Sequence, residues 1–271
     1  MTAKHPASTG PGRDLPLEQR LTDALGANQR GMLRAFQTVG STMDEAHALA
    51  ADGAPDGSLI VALRQSQGRG RQGRVWESPE GGVYLSVVLR PTKPVDEVPQ
   101  LALVAGLALA EAVKAVTRLL PSIRWPNDLL LGEKKLAGIL CEGTRDRGQR
   151  TGDPYVVLGI GINVLTSPDV LPETGTSLAA AGAPCEAAPL TAALYTRLLA
   201  WYDVWARNGF APVRQALLSW IGLFGQIVHI SAGSERLEGV AHDLDERGRL
   251  VVRLDSGILR PFDMGEVTLL R

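Results

Sequence analysis

Residues 65–76 read Gln-Ser-Gln-Gly-Arg-Gly-Arg-Gln-Gly-Arg-Val-Trp. Glycine stands at 68, 70 and 73 and arginine at 69, 71 and 74, with no acidic residue in the stretch. Glycine lets a backbone approach a ligand closely or take positive φ. Arginine offers a planar, permanently charged fork that suits phosphate or carboxylate. An anion is expected here, and the flanking elements decide which fold presents it.

Gly68 to Gly73 satisfies the dinucleotide spacing G-x-G-x-x-G in form. That fingerprint needs a strand before it and a helix after it, with the anion at the helix N-terminus. Leu59 to Leu63 does read as a buried strand leading in. After the turn Ser78-Pro-Glu-Gly-Gly, however, Val83 to Leu89 reads as a second apolar strand. The intervening positions hold the large Arg69, Arg71 and Gln72, and no acid ends a second strand at the required distance. The loop is therefore predicted to join two strands, and a Rossmann site is set aside. A P-loop sequence is absent.

Upstream, Leu17 to Leu25 is expected as a short helix and Met32 to Val39 as a short strand. Ser41 or Thr42 then caps a helix running to Ala51, whose first turn carries Asp44 and Glu45. A plain cap and a ligand-binding helix N-terminus are both open readings of this segment. Downstream, Val95 to Leu120 carries helical periodicity and stops at Pro121. Ile123 to Leu131 reads as strand, break, strand, because Pro126 interrupts a ladder and Asn127-Asp128 favour a turn. Gly132-Glu-Lys-Lys is a hairpin turn, and Lys135 to Cys141 returns as a strand.

Tyr155 to Val164 is another apolar strand. Its alternate Gly159 and Gly161 leave one face bare, for a ligand or for a bulky neighbour. Leu190 to Phe210 and Ala211 to Ile221 are predicted helices, with Tyr195, Trp201, Tyr202 and Trp205 in the core. From Gly225 the pattern changes to short strands at 227–230, 237–244, 250–254, 258–261 and 267–270. Turn clusters separate them, as in a small β-barrel.

The 271 residues carry 28 Lys and Arg against 29 Asp and Glu, with 45% hydrophobic and 21% charged residues. So balanced a charge argues against bulk attraction to nucleic acid or an anionic membrane. Cys141 and Cys185 show no metal-ligand spacing and no disulfide framework. The first 16 residues lack an apolar signal core, and no apolar run is expected to approach the ~20 residues of a membrane span. A cytoplasmic protein is expected. Zinc ligation and a nucleophile elbow find no support.

Five segments remain: Ser41-Thr42, Gln65 through Trp76, Arg124-Trp-Pro-Asn-Asp128, Lys134-Lys-Leu-Ala-Gly-Ile-Leu140 and Gly159-Ile-Gly-Ile-Asn163. In this order, over Phe36 to Arg271, the chain resembles the biotin–protein ligases (biotin–acetyl-CoA-carboxylase ligases). The resemblance implies an α/β (α+β) catalytic domain of the class II aminoacyl-tRNA synthetase kind at 31–222. A small SH3-like barrel follows at 223–271, and a poorly ordered terminus and lead-in precede at 1–30. It further implies activation of biotin by ATP and Mg²⁺ to biotinyl-5′-AMP. Transfer to a lysine of a biotin carboxyl carrier protein would follow.

Carried over by position, Ser41, Thr42, Met43 and Gln65 would contact biotin. Arg69, Gly70 and Arg71 would close over the adenylate, with Arg69 holding the intermediate. Lys135 would meet the biotin carboxylate and α-phosphate. Asp128 would help activate the lysine amine or organise Mg²⁺, the only metal role expected. Asn127, Gly138, Gly161 and Asn163 would flank the ligand, with Trp76 near the adenine. Arg271 matches a C-terminal arginine of the family. Met43 departs from the family's usual Asn. With about 40 residues before Ser41, below the ~50 of an ordinary domain, a monofunctional ligase without DNA binding is expected; a homodimer is compatible with the family. A lipoate or octanoate ligase, and a nucleic-acid-binding module using the arginine loop, are the competing readings.

Overall fold

The computed structural model describes residues 12–144, 154–232, 235–263 and 266–269. Arg271 lies outside the described residues. Among the described residues, twelve strands form two sheets, flanked by five α-helices. The larger contains β1 (Leu33–Phe36), β2 (Ser58–Ala62), β3 (Gly82–Leu89), β4 (Ser122–Arg124), β5 (Asp128–Leu131), β6 (Lys134–Gly143) and β7 (Val156–Asn163). Their spatial order is β1-β2-β3-β7-β6-β5-β4. Only the β1–β2 pair is parallel; the other pairs in this sheet are antiparallel.

The expected strand-to-strand loop therefore joins β2 to its antiparallel neighbour β3. All eight residues of β3 are buried, because both faces of the sheet are covered. On one face lie α1 (Leu15–Leu25), α3 (Gln100–Thr117) and α4 (Ala187–Asn208). On the other lies α2 (Thr42–Ala51), packed through Met43, Ala46, Leu49 and Ala50 against Ile60, Val88 and Val157. Helix α1 is started by Asp14, whose carboxylate accepts from the Leu17 amide at 2.9 Å, as an N-cap should. It places Leu17, Leu21 and Leu25 at i, i+4 and i+8 in the main core.

Helix α3 begins five residues later than its periodicity suggested, after a 3₁₀ turn over Val95–Glu97 and Pro99. The segment Val95–Thr117 is long and apolar enough to cross a membrane by length and composition, which corrects the sequence reading. Here it packs between the sheet and α4, with 72% of its apolar window buried. Trp205 on α4 donates from Nε1 to Gln100 Oε1 at 2.7 Å, which satisfies both polar groups in that apolar layer. Helix α5 (Ala211–Leu217) also ends earlier than expected. The chain then turns so that Ile123 takes the Trp220 carbonyl at 2.7 Å.

The second sheet holds β8 (Ile227–Ala232), β9 (Glu235–Leu244), β10 (Leu250–Arg253), β11 (Leu259–Phe262) and β12 (Glu266–Leu269). They are all antiparallel, in the order β11-β10-β9-β8-β12. Val228, Ile230, Ala241, Leu244, Leu250 and Val252 join the same apolar cluster as α3 and α4. Burial is thus continuous from one sheet to the other.

Candidate active site

Cross-strand register sets the floor of the site. Arg124 pairs with Asp128, Asp128 with Gly138, and Gly138 with Gly161. Leu140 pairs with Gly159, which also opposes Ser86. Directly paired residues project to the same face of a sheet, and this is the face that α2 covers. A charged pair, a glycine patch and a hydroxyl therefore lie side by side beneath one cavity. Its volume is about 300 Å³.

The glycine patch is filled. A Cβ on Gly161 would lie 2.5 Å from Trp76 Nε1, and one on Gly138 would lie 3.0 Å from Trp76 Cζ3. A Cβ on Gly159 would lie 2.4 Å from Met43 Sδ. Bare strands here give room to an indole and a thioether, the bulky-neighbour reading, while both side chains also line the cavity. Lys135 Nζ stands 5.0 Å above the Trp76 ring, within cation–π range.

The arginine loop folds on itself. Gly70 N donates to Arg74 O at 2.8 Å and Trp76 N to Gly68 O at 3.0 Å. Its tip has positive φ at Gln72 (57°) and Gly73 (72°). Gly68 is needed where it stands, because a Cβ would meet Trp76 O at 2.3 Å and Ser78 Oγ at 2.4 Å. Gln65 ties this loop to α2. Its Oε1 accepts from the Thr42 amide at 2.8 Å and the Thr42 hydroxyl at 3.0 Å, and its Nε2 donates to Ser78 Oγ at 2.9 Å. Ser86 then donates to Thr42 Oγ1 at 2.9 Å. Neither expected hydroxyl acts as the helix cap. Ser41 occupies the N-cap position without a side-chain cap bond, and Gln65 supplies the acceptor instead.

The basic groups are individually held. Asp128 takes Arg124 Nη2 on Oδ2 at 2.6 Å and faces Lys135 Nζ with Oδ1 at 2.6 Å. Arg71 donates from Nη1 to Asn127 Oδ1 at 2.9 Å, while Asn127 Nδ2 donates to the Ile139 carbonyl at 2.9 Å. Burial pushes the Arg71 pKa below its ordinary value, and nearby Asp128 partly opposes that. Arg69 Nη2 lies 3.3 Å from both Asp44 Oδ1 and Glu142 Oε2. Ser41 Oγ, Arg69 Nε and Trp76 Nε1 are buried and have no hydrogen-bond partner among the described residues.

Of the residues expected at the site, Ser41, Thr42, Met43, Gln65, Arg69, Gly70, Arg71, Trp76, Asn127, Asp128, Lys135, Gly138 and Gly161 all line this cavity. Asn163 does not. It is buried at the end of β7, where its Nδ2 donates to the Thr176 carbonyl at 3.1 Å. Arg124 was quoted only as part of a motif, and its grip on Asp128 was missed. Asp44 and Glu142, which contact Arg69, and His47, which contacts Glu142, were missed as well. A charge within the first turn of α2 was the only signal for any of them.

Asp128 does not fit the role of a magnesium ligand, since both its oxygens already face cations. No group of three or more His, Cys, Asp or Glu able to hold a metal occurs among the described residues.

Residues 35–163 match the model of the biotin/lipoate A/B protein ligase family, and residues 223–270 match that of the biotin protein ligase C-terminal domain. The chain is 34% identical over 234 residues to the biotin–[acetyl-CoA-carboxylase] ligase of Paracoccus denitrificans, covering 80% of this chain and 92% of that protein. It is 34% identical over 226 residues to the bifunctional ligase/repressor BirA of Bacillus spizizenii, covering 81% of this chain and 69% of that one. Among solved structures, the biotin protein ligase of Aquifex aeolicus in complex with biotin and ATP superposes with a TM-score of 0.76 at 29% identity. That match covers 89% of this chain and 99% of the other. With the site geometry, the two-domain order and these relatives in agreement, the chain belongs to the biotin protein ligase family.

Proposed function

We propose that the chain is an ATP-dependent biotin–protein ligase. It activates biotin as biotinyl-5′-adenylate and then passes biotin to a lysine of a biotin carboxyl carrier protein. The observation that carries this reading is the set of three buried polar atoms around one cavity, Ser41 Oγ, Arg69 Nε and Trp76 Nε1, that have no partner among the described residues. An unmet buried polar group costs about 1–3 kcal/mol. A ligand with several polar atoms recovers that loss, as the ureido ring and acyl-phosphate of biotinyl-adenylate would.

In the first step a biotin carboxylate oxygen bonds to the α-phosphorus of ATP, and pyrophosphate leaves with the bonding pair. Negative charge grows on the phosphate oxygens, where fixed cations stabilise it most in a site shielded from water. Lys135 is the cation we assign to that charge, since Asp128 and the Trp76 face hold its ammonium over the cavity floor. Arg71, oriented by Asn127, is assigned to the phosphate from the loop side. In the second step the carrier's lysine amine attacks the acyl carbon, AMP leaves, and an amide forms with loss of a proton. Magnesium enters as the counter-ion of ATP, since among the described residues no cluster of three or more His, Cys, Asp or Glu could hold it unaided.

Biotin is favoured over lipoate by the relatives, which are named as biotin ligases. The deciding experiment is calorimetry with biotin, then ATP, paired with an assay of biotin-dependent pyrophosphate release. Release with biotin and none with lipoate is expected; no biotinyl-adenylate from biotin and Mg·ATP refutes the reading.

A further inference from the structure

Arg69 is held from outside the loop that carries it. Its Nη2 lies between Asp44 on α2 and Glu142 on β6, 3.3 Å from each. These two carboxylates are unequal. The Glu142 side chain is 20% exposed and that of Asp44 50%. An ion pair shielded from water is screened less and interacts more strongly, so Glu142 is the dominant anchor.

Glu142 is itself fixed. His47, whose side chain is 5% exposed, places Nε2 at 3.1 Å from the same Glu142 Oε2 that Arg69 contacts. The other ring nitrogen, Nδ1, lies 3.4 Å from the Tyr155 hydroxyl. Arg90 stacks 5.8 Å from the Tyr155 ring centroid and is tied by hydrogen bonds to the carbonyls of Ala50 and Ala54. A continuous polar chain thus runs from the far end of α2 to the guanidinium at the cavity. One donor of Arg69, Nη2, is spent on the carboxylates, whereas Nε is buried without a partner among the described residues.

We propose that Glu142, held by His47, is the positioning residue that fixes Arg69 with Nη2 anchored and Nε left for the bound acyl-adenylate. This inference rests on the ligase reading above. Arg69 touches the ligand; Glu142 and His47 act only through it. Loss of either releases the arginine loop from β6 and lets the intermediate escape before transfer.

The test is the rate at which preformed biotinyl-adenylate leaves the full chain without acceptor protein. Glu142→Gln is expected to speed release roughly tenfold, as loss of one hydrogen bond to a charged group would. Asp44→Asn is expected to change it less than threefold. His47→Leu should resemble Glu142→Gln, and His47→Gln, which keeps a donor near Nε2, should restore slow release. The discriminating arm is Arg69→Ala, in which adding Glu142→Gln should produce no further change. Parent-like release from both Glu142→Gln and His47→Leu overturns the proposal, and so does an undiminished Glu142→Gln effect in the Arg69→Ala background. Should Glu142→Gln melt below the assay temperature, the His47 pair decides alone. A parent chain that forms no biotinyl-adenylate refutes the ligase reading instead, and that result is visible before any variant is compared.

Discussion

The Trp125 indole donates from Nε1 to the Gly248 carbonyl at 2.9 Å. Trp125 lines the cavity beside Asn127 and Asp128. Gly248 lies in the turn between β9 and β10 of the C-terminal sheet, so that sheet braces the catalytic turn from below. Gln100 and Asp96 bind the neighbouring Arg247, which holds the brace in place.

Removing that one donor should therefore be felt in the chemistry. Trp125→Phe keeps most of the ring and leaves the Gly248 carbonyl unmet, at a cost of about 1–3 kcal/mol. Slower adenylation by tenfold or more is expected, together with a lower melting temperature. Gly248→Ala should act in the same direction. Its φ is +81°, and the new Cβ would sit 2.8 Å from Leu103 Cδ1. Pre-steady-state adenylation checks both, and parent-like rates in Trp125→Phe would dismiss the brace.

Lys135 and Asp128 should separate into a primary and a supporting role. Lys135→Ala deletes the ammonium over the floor and is expected to slow adenylation by at least about a hundredfold, as loss of a fixed transition-state charge does. Asp128→Asn leaves the lysine in place but removes the carboxylate facing it at 2.6 Å, so a smaller loss is expected. Single-turnover rates distinguish them. A near-normal rate for Lys135→Ala would exclude it from the mechanism.

The glycine floor yields a third expectation. Gly161→Ala would drive Cβ to within 2.5 Å of Trp76 Nε1, and the indole is half-buried on a loop, outside the main apolar core. The cost should fall on ligand binding rather than on folding. We expect a melting temperature within a few degrees of the parent and biotin or ATP binding weakened tenfold or more. Calorimetry beside a thermal melt tests this; unchanged affinity would show that Trp76's place on the floor is immaterial.

The order of elements was legible because its signals are local: Pro126 and Asn127-Asp128 breaking β4 from β5, the unbroken apolar run of β7, the turn clusters between the C-terminal strands. The loop at 65–76 was legible as residue types suited to an anion, and the segments at 41–42, 124–128 and 134–140 only through the family that their order resembles. Their pairings were not. Arg69 meets Glu142 across 73 positions and Trp125 meets Gly248 across 123, and both follow from strand register and domain docking. The basic loop carries no acid in its own sequence, yet the fold brings Asp44 and Glu142 to it. Asn163 lies outside the cavity lining, because the bare glycines of β7 mark a close approach without saying where along the strand it ends.

Away from the site, Arg30 joins the segment before β1 to α4, with Nη2 at 2.7 Å from Asp203 Oδ2. Hydrogen bonding to Arg30 holds the Asp203 carboxyl below its ordinary value. A carboxyl depressed in the folded state contributes stability above its unfolded pKa of about 3.9, and the contribution disappears as pH falls through the folded value. Because the Arg30 side chain is 38% exposed, solvent screening limits the pair to under about 1 kcal/mol. Asp203→Asn should thus lower stability slightly at pH 7 and by a smaller amount at a pH near or below the depressed carboxyl value. Denaturant melts at both values check it, and an equal deficit at both would mean the effect is not the ion pair.

Met43 is the position where restoring an amide should harm rather than help. Its side chain is 4% exposed, with Sδ against the bare backbone of Gly159 and neighbours Ala46 and Val157 in the same apolar cluster. Met43→Asn removes apolar burial worth about 1.5–3 kcal/mol. It also inserts an amide into that apolar cluster, beside Thr42 and Ser86, which already bond to each other. A lower melting temperature without ligand is expected, with no gain in biotin affinity. If the variant binds biotin more tightly than the parent at unchanged stability, then the thioether is a weaker substitute for a polar contact and not a packing element of the α2 face.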